Sequence, residues 1–344
     1  MLFHNKLISW YLQHKRNLPW RETKNPYAIW LSEIILQQTR VAQGLPYFEA
    51  FLTQYPTVFD LANAPENDIM RLWQGLGYYS RARNLHTSAK IIAYQYDGNF
   101  PNTYKELLSL KGVGDYTAAA IASIAFDEVV PVVDGNVFRV LSRIYGIDAD
   151  ISASSTKKIF QQKAQSLIPS DDPATFNQAI MDFGAMQCTP KGVNCTPCPF
   201  LNNCVAYQTN QIDKLPVKLG KVKVKKRYLD FLIFLDKYHN TIIEQRIDKD
   251  IWQQLYQFPL VDRFENTPIP IHEVLKTRYT DINYKEPILL NTEPIIHILS
   301  HQKLHINFWM INTDNDLPNG TPWNDLNKFG FPIVIHNFIR SLNI

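Results

Sequence analysis

No apolar run in the 344 residues approaches the roughly 18–20 needed to cross a bilayer, so no membrane-spanning segment is expected. The first twenty residues, MLFHNKLISWYLQHKRNLPW, hold no unbroken apolar stretch, and no secretory leader is expected either. Cysteine is scarce: the chain has 4, none of them outside residues 188–204. A disulfide framework, which staples distant segments together, is thereby excluded. Charge of one sign is also missing in excess, with 35 Lys+Arg against 32 Asp+Glu. The 45% hydrophobic share suffices for buried cores and excludes a disordered chain. At about 150 residues per domain, the length predicts roughly two domains of a cytoplasmic protein.

The distribution of charge carries more than its total. Residues 1–227 hold 25 Lys+Arg and 18 Asp+Glu, whereas residues 228–344 hold 10 and 14. A basic part beside an acidic one fits a polyanion facing the first part, and it equally fits a solvated surface. The cysteines follow Cys188-x6-Cys195-x2-Cys198-x5-Cys204. Four thiols in one short segment can surround one metal centre, zinc or an iron–sulfur cluster. Pro190, Pro197 and Pro199 keep that segment out of a helix and let the sulfurs converge.

Apolar residues at three- and four-residue spacing, as in AIWLSEIILQQTRVAQGLPYFEAFLTQY and FNQAIMDFGAM, predict helices through the first two hundred residues. After Cys204 the stretch QTNQIDKLPVKLGKVKVKKR is polar, then basic, with no acid after Asp213, which reads as a linker over residues 208–227. Beyond it YLDFLIFLD, NTIIEQR, EPIIHILS and LHINFWMI are short and rich in β-branched and aromatic residues. The division is therefore a helical domain over 1–207, the linker, and an α+β domain with a mostly antiparallel sheet over 228–344.

Three segments carry candidate chemistry. In LKGVGDYTAAAIASIAF, Gly112 and Gly114 flank one apolar residue ahead of a helix starting near Asp115. Backbone amides beside a helix N-terminus bind phosphate without sequence preference; an ordinary helix–helix turn is the alternative. In VVPVVDGNVFRVLSRIYGI, Asp134 stands at the start of a helix, where it caps the helix or serves a site. In WLSEIILQQTRV, Glu33 lies among Trp30, Leu31, Ile34, Ile35 and Leu36. Burial there would raise its pKa and suit it as a general acid; a solvent-facing glutamate is the other reading. Gln37 and Gln38 fit either probing of a base stack or plain polar surface.

LSEIILQQTRV, LWQGLGYYSRARNL, LKGVGDYTA, VVDGNV and the cysteine spacing occur in the order found in MutY-type adenine DNA glycosylases. The chain resembles that family nearly continuously from about Asn17 to Cys204 and more loosely beyond. The resemblance implies a mainly α helix-hairpin-helix glycosylase domain, a six-helix module beside a cluster module, and an α+β Nudix-like C-terminal domain. It implies hydrolysis of the N-glycosidic bond of adenine mispaired with 8-oxoguanine or guanine in double-stranded DNA, by a monomer. Glu33 and Asp134 would be the catalytic carboxyls, Tyr116 and Asn136 their supports. Arg16, Leu18, Trp20 and Val41 would form the adenine pocket, and Gln38 and Tyr78 would enter the opened base stack. Cys188, Cys195, Cys198 and Cys204 would hold a [4Fe–4S] cluster, with Lys191 of that loop near phosphates. Ser300 and His301 would contact 8-oxoguanine. A lysine nucleophile, which endonuclease III carries in its hairpin, is replaced by Tyr116, implying no Schiff base and no strand cleavage. An endonuclease III-like lyase and a non-catalytic damage sensor are the alternatives. Residues 228–344 hold no Glu-Glu pair, so a magnesium-dependent Nudix hydrolase is not expected. Leu299, Lys111 and Phe138 depart from the family pattern.

Overall fold

The computed structural model describes residues 2–220, 223–317, 319–342 and 344. Its helices in chain order are α1 (Phe3–His14), α2 (Pro26–Leu36), α3 (Val41–Gln54), α4 (Val58–Asn63), α5 (Glu66–Leu72), α6 (Ser80–Gln95), α7 (Tyr104–Leu107), α8 (Asp115–Phe126), α9 (Gly135–Tyr145), α10 (Ser154–Gln165), α11 (Pro173–Asp182), α12 (Val205–Gln208), α13 (Ile271–Arg278) and α14 (Ile333–Ser341). The chain divides into two compact units, Met1–Asn63 with Asn84–Gly220 and Ala64–Arg83 with Lys221–Ile344.

In the first unit α2 begins where the Asn25 side chain accepts from the Tyr27 amide at 2.9 Å and Pro26 takes the first helical position. Nine consecutive residues, Tyr27 to Ile35, are buried, so even the polar members Ser32 and Glu33 lie in the core. The alanine-rich α8 packs against α2, its small side chains allowing a close approach of backbones. α11 packs on α1, α8 and α9 and runs into a π-helical turn, Phe183–Gln187, that leads to Cys188. A Cβ at Gly184 in that turn would stand 2.6 Å from the Asn136 Cβ, so only glycine lets the turn pass there.

The strands all follow residue 224 among the described residues: β1 (Lys225–Leu235), β2 (Asn240–Thr241), β3 (Glu244–Gln245), β4 (Tyr256–Gln257), β5 (Leu260–Arg263), β6 (Ile288–Leu289), β7 (Ile295–Ile298), β8 (Gln302–Asn312) and β9 (Thr321–Pro322). The main sheet has the order β5-β1-β8-β6, with β7 also on β8. Its longest pairing, β1 with β8, is parallel from Lys225↔Gln302 to Leu235↔Asn312, while the other pairs are antiparallel. The antiparallel expectation thus holds at the edges of the sheet and not at its centre. Leu232, Phe234, Ile311 and Leu275 of α13 form its core.

Two boundaries differ from the linear division. The Ala64–Arg83 segment groups with the second unit, where Asn67 donates to the Lys328 carbonyl at 2.9 Å and Arg83 to the Gln253 carbonyl at 2.7 Å. The linker is also shorter at both ends. The Ile151 amide donates to the Val217 carbonyl at 2.9 Å, holding residue 217 on the helical unit. Lys225, Lys226 and Arg227 belong to β1, and Arg227 is buried between Asp250 and Asp262. Lys221 of the expected linker lies outside the described residues.

Between α7 and α8, Gly112 has φ +78°, and an added Cβ would stand 2.8 Å from the Asn84 Cβ. Gly112→Ala should therefore lower unfolding free energy by about 1–2 kcal/mol. Urea denaturation checks this; an unchanged midpoint would contradict the assigned strain.

Candidate active site

Glu33 projects from the buried stretch of α2 and retains 7% exposure. Burial pushes its carboxyl from the ordinary 4.5 up to about 7; the Tyr116 hydroxyl, hydrogen-bonded to it, and the Arg21 cation oppose the rise, while Asp134 adds to it. Tyr116, in the first turn of α8, has its own hydroxyl pushed well above the usual range by burial and by the two carboxylates. Its Oη lies 3.1 Å from Met181 Sδ.

Asp134 is the N-cap of α9, accepting from the Val137 amide at 2.8 Å and from Asn136 Nδ2 at 2.7 Å. Burial raises its pKa, and the Val137 and Asn136 donors with the Arg139 cation hold that rise back. Asn136 is itself fixed, its Oδ1 accepting from Arg139 Nη2 at 2.8 Å, while Arg139 Nε donates to the Cys188 carbonyl at 2.7 Å. Capping and site geometry are thus one arrangement at Asp134, not alternatives.

A cavity of about 160 Å³ collects these groups. Glu33, Asp134, Tyr116 and Asn136 line it together with Arg16, Leu18, Trp20 and Val41, so all eight catalytic and pocket candidates meet. Arg21, Gln178 and Met181 share the lining without having been anticipated. Behind them Asp182 is fully buried and bonded to both Arg16 and Arg21. Its partners lie more than 160 residues away, and within FNQAIMDFGAM it reads as an interruption of an apolar face.

Cys188, Cys195, Cys198 and Cys204 line one small cavity whose other walls include Ile144, Phe183, Val193 and Leu201. Arg143, 1% exposed, ties the segment down from α9. Its guanidinium donates to the Thr189 carbonyl at 2.7 Å and to those of Ile212 and Leu215 at 3.0 Å, and lies 3.5 Å from Cys188 Sγ. The donor set is sulfur alone, with an N–H placed to offset thiolate charge. Among the described residues no three His, Cys, Asp or Glu side chains are grouped closely enough to hold a metal ion, the four cysteines included, although these line one cavity.

Gln37 turns to the hairpin, its Nε2 donating to Thr117 Oγ1 at 3.1 Å and to the Gly112 carbonyl at 3.3 Å. Gln38, two residues beyond the end of α2, is exposed with φ +56°. Gly114 caps α8 with no side chain, and the space beside it is open. Tyr78 in the second unit is also left-handed, φ +48°, half exposed, and hydrogen-bonded through its hydroxyl to Ser300 Oγ. Both border a cavity of about 760 Å³ with Leu299, His301, His297 and Trp252. Of the departures, Phe138 packs on Phe160 with ring centroids 4.7 Å apart, and the Lys111 carbonyl accepts from Ser88 at 2.9 Å, leaving its side chain exposed.

Comparison with known proteins bears on this geometry. Residues 31–169 match the family model described as HhH-GPD superfamily base excision DNA repair protein, and residues 231–341 match the NUDIX domain model. An adenine DNA glycosylase of Buchnera aphidicola (subsp. Schizaphis graminum) is 37% identical over 311 residues, 89% of this chain and 86% of that protein. Its counterpart from subsp. Baizongia pistaciae is 33% identical over 99% of this chain and 97% of its own length. Among solved structures, a thermostable thymine-DNA glycosylase aligns at TM-score 0.56 with 29% identity, covering 60% of this chain and 95% of its own.

An acid whose pKa is higher folded than unfolded costs nothing when both states are protonated, and loses stability as pH rises from the unfolded to the folded value. For Glu33 that window runs from 4.5 to about 7. Glu33→Gln should therefore be more stable than the parent above pH 7, by about 3 kcal/mol, with no gain below pH 4.5. Denaturation curves across pH read this directly; a less stable variant at pH 8 would contradict the buried, proton-holding carboxyl.

Proposed function

The chain belongs to the adenine DNA glycosylases of the HhH-GPD base excision repair superfamily, DNA N-glycosylases with a helical domain followed by a Nudix-like one, and we propose that it hydrolyses the N-glycosidic bond of adenine mispaired with 8-oxoguanine or guanine. One observation carries this reading. Two carboxyl groups, Glu33 and Asp134, line the same cavity in unlike surroundings, one shut in by apolar residues and one held by amide donors.

Adenine leaves poorly as an anion, so a proton delivered to its N7 by Glu33 lets it depart neutral. Positive charge then spreads over the sugar C1′ and ring oxygen, and ionised Asp134 stabilises it, directly or through a transient adduct. Tyr116 keeps the two carboxyls in register, and Asn136, fixed by Arg139, orients Asp134 or the attacking water. Position 116 offers a phenol and no amine, so no Schiff base forms and the strand is left intact. Arg16, Leu18, Trp20 and Val41 enclose the extruded base.

Extruding a base costs a few kcal/mol, and Gln38 and Tyr78 serve to fill the opened stack. The amides about Gly112 and Gly114 take phosphate at the start of α8. Ser300 and His301 read the base opposite adenine. A [4Fe–4S] cluster is assigned to Cys188, Cys195, Cys198 and Cys204, four thiols that line one cavity and offer sulfur alone. Bound there it orders residues 188–204, whose Lys191 is exposed toward solvent and available to phosphate. No helix of the described residues is long and apolar enough to cross a membrane. We place the enzyme as a monomer on DNA in the cytoplasm.

A duplex with adenine opposite 8-oxoguanine tests the reading. Adenine release under single-turnover conditions, with breakage only after alkali, is expected, and Glu33→Gln should slow release by about 10³-fold. Direct breakage at oxidised pyrimidines would favour a lyase, and tight binding without release a sensor. Replacing Ser300 and His301 together by alanine should erode the preference for 8-oxoguanine over guanine by about tenfold; an unchanged ratio removes their assignment. Purified protein should carry about four iron atoms per chain with visible charge-transfer absorbance, and stoichiometric zinc in their place would overturn the cluster.

A further inference from the structure

Asp182 closes α11 with no exposed surface, yet it does not border the base cavity. Among the described residues its side-chain partners are Arg16 and Arg21. Arg16 donates through Nε at 2.8 Å and through its Nη2, and Arg21 donates through Nη1 and through Nη2 at 2.8 Å. Both guanidiniums do border the cavity, together with Gln178 and Met181, which stand four and one residues before Asp182 on the same helix. Arg21 also lies over the Tyr11 ring at 5.8 Å, and the Tyr11 hydroxyl donates to Gln178 Oε1 at 2.7 Å. One buried carboxylate therefore anchors a continuous polar wall of the pocket.

The charge count of that wall matters for the reaction. A permanent cation on the wall shared with Glu33, Arg21, would draw the proton off the group that has to deliver it, and the Asp182 anion bound to it offsets that charge. We propose that Asp182 is a positioning residue for adenine excision, clamping Arg16 and Arg21 against the pocket wall so that Arg21 does not strip the proton from Glu33. The inference rests on the reading of Glu33 as the acid. The charged and titratable groups facing Glu33 are Arg21 from the turn at residues 19–21, Tyr116 from α8 and Asp134 ahead of α9, with Arg16 on the same cavity. Asp182 also sustains the charge on Arg21, raising its pKa against the effect of burial. Its own carboxyl, which burial alone would raise, is held below the usual range by the same two guanidiniums.

The sign follows. An acid catalyst works while protonated, so the rate falls on the alkaline side as Glu33 ionises. With Asp182 neutral, Arg21 keeps its full charge, ionised Glu33 is favoured, and that limb moves to lower pH. With Arg21 neutral, the limb moves to higher pH.

The test is single-turnover adenine release across pH 5.5–9 from a duplex with adenine opposite 8-oxoguanine, for the parent, Asp182→Asn, Arg21→Gln and Glu33→Gln. Asp182→Asn should shift the alkaline limb down by about one pH unit, lowering the rate above the limb about tenfold while the plateau changes less than about threefold. Arg21→Gln should shift it upward. A uniform drop in rate at every pH, with the limb in place, would mean that Asp182 only supports the fold and would overturn the proposal. Should Asp182→Asn prove insoluble, Arg21→Gln decides: a limb that stays or moves down overturns it. A parent profile without an alkaline limb, or full activity in Glu33→Gln, would sink the acid assignment and this inference together. A limb that vanishes in Glu33→Gln and ignores Asp182→Asn would sink this inference alone.

Discussion

Placing a carboxyl group inside an apolar helix face costs several kcal/mol when the group is charged, and the first unit is arranged around Glu33 under that constraint. α2 is buried along nine consecutive residues, so its glutamate has no route to water except the cavity. Tyr116 reaches it because α8 is built from alanines that let the two helices close together. The neighbouring cation, Arg21, lines the same cavity and is paired with Asp182. Burial keeps a proton on an acid that bulk water would take at neutral pH, while Tyr116 and Arg21 limit the rise. The stability forgone at Glu33 is a cost tied to a task, as expected where a buried ionisable group lines a cleft.

Asp134 answers the same cavity with the opposite solution. It too is withdrawn from water, but the first amides of α9 and the Asn136 side chain are aimed at its oxygens. A helix N-terminus favours negative charge, so the cap that starts α9 also keeps an anion where positive charge would develop on a sugar. From Asn136 the hydrogen bonds run through Arg139 to the Cys188 carbonyl, and Arg143, one turn on, fixes the rest of the cysteine segment. The thiol loop and the carboxylate are thus held by two arginines of one helix.

What could be read from the residues was whatever the chain states locally. Asp134 sits before Gly-Asn-Val at a helix start, the four cysteines share one short segment, and the glycines of the hairpin flank one valine. Glu33 was open from sequence because the burial of all sides of α2 depends on α8 arriving from eighty residues away. Asp182 was illegible for the same reason, its worth resting on Arg16 and Arg21 from the far end of the unit. In the second unit, strands were legible from β-branched runs, but the parallel union of β1 and β8 joins residues 225–235 to 302–312, which no local pattern encodes. Arg227 reads as the last residue of a basic linker and is instead a buried strand residue shared by two aspartates. The pairing of Tyr78 with Ser300 follows from the Ala64–Arg83 segment grouping with the second unit, again a matter of tertiary packing.

The central claim is that a proton from Glu33 must reach N7 of the departing base. The most direct measurement uses a duplex in which 7-deazaadenine, carbon in place of that nitrogen, stands opposite 8-oxoguanine. Binding measured by titration should match that of the adenine duplex within a few fold, because the pocket contacts are retained. Release of the base should fall below detection under single-turnover conditions. Release at a rate comparable to adenine would contradict the account, since no protonation at position 7 would then be needed.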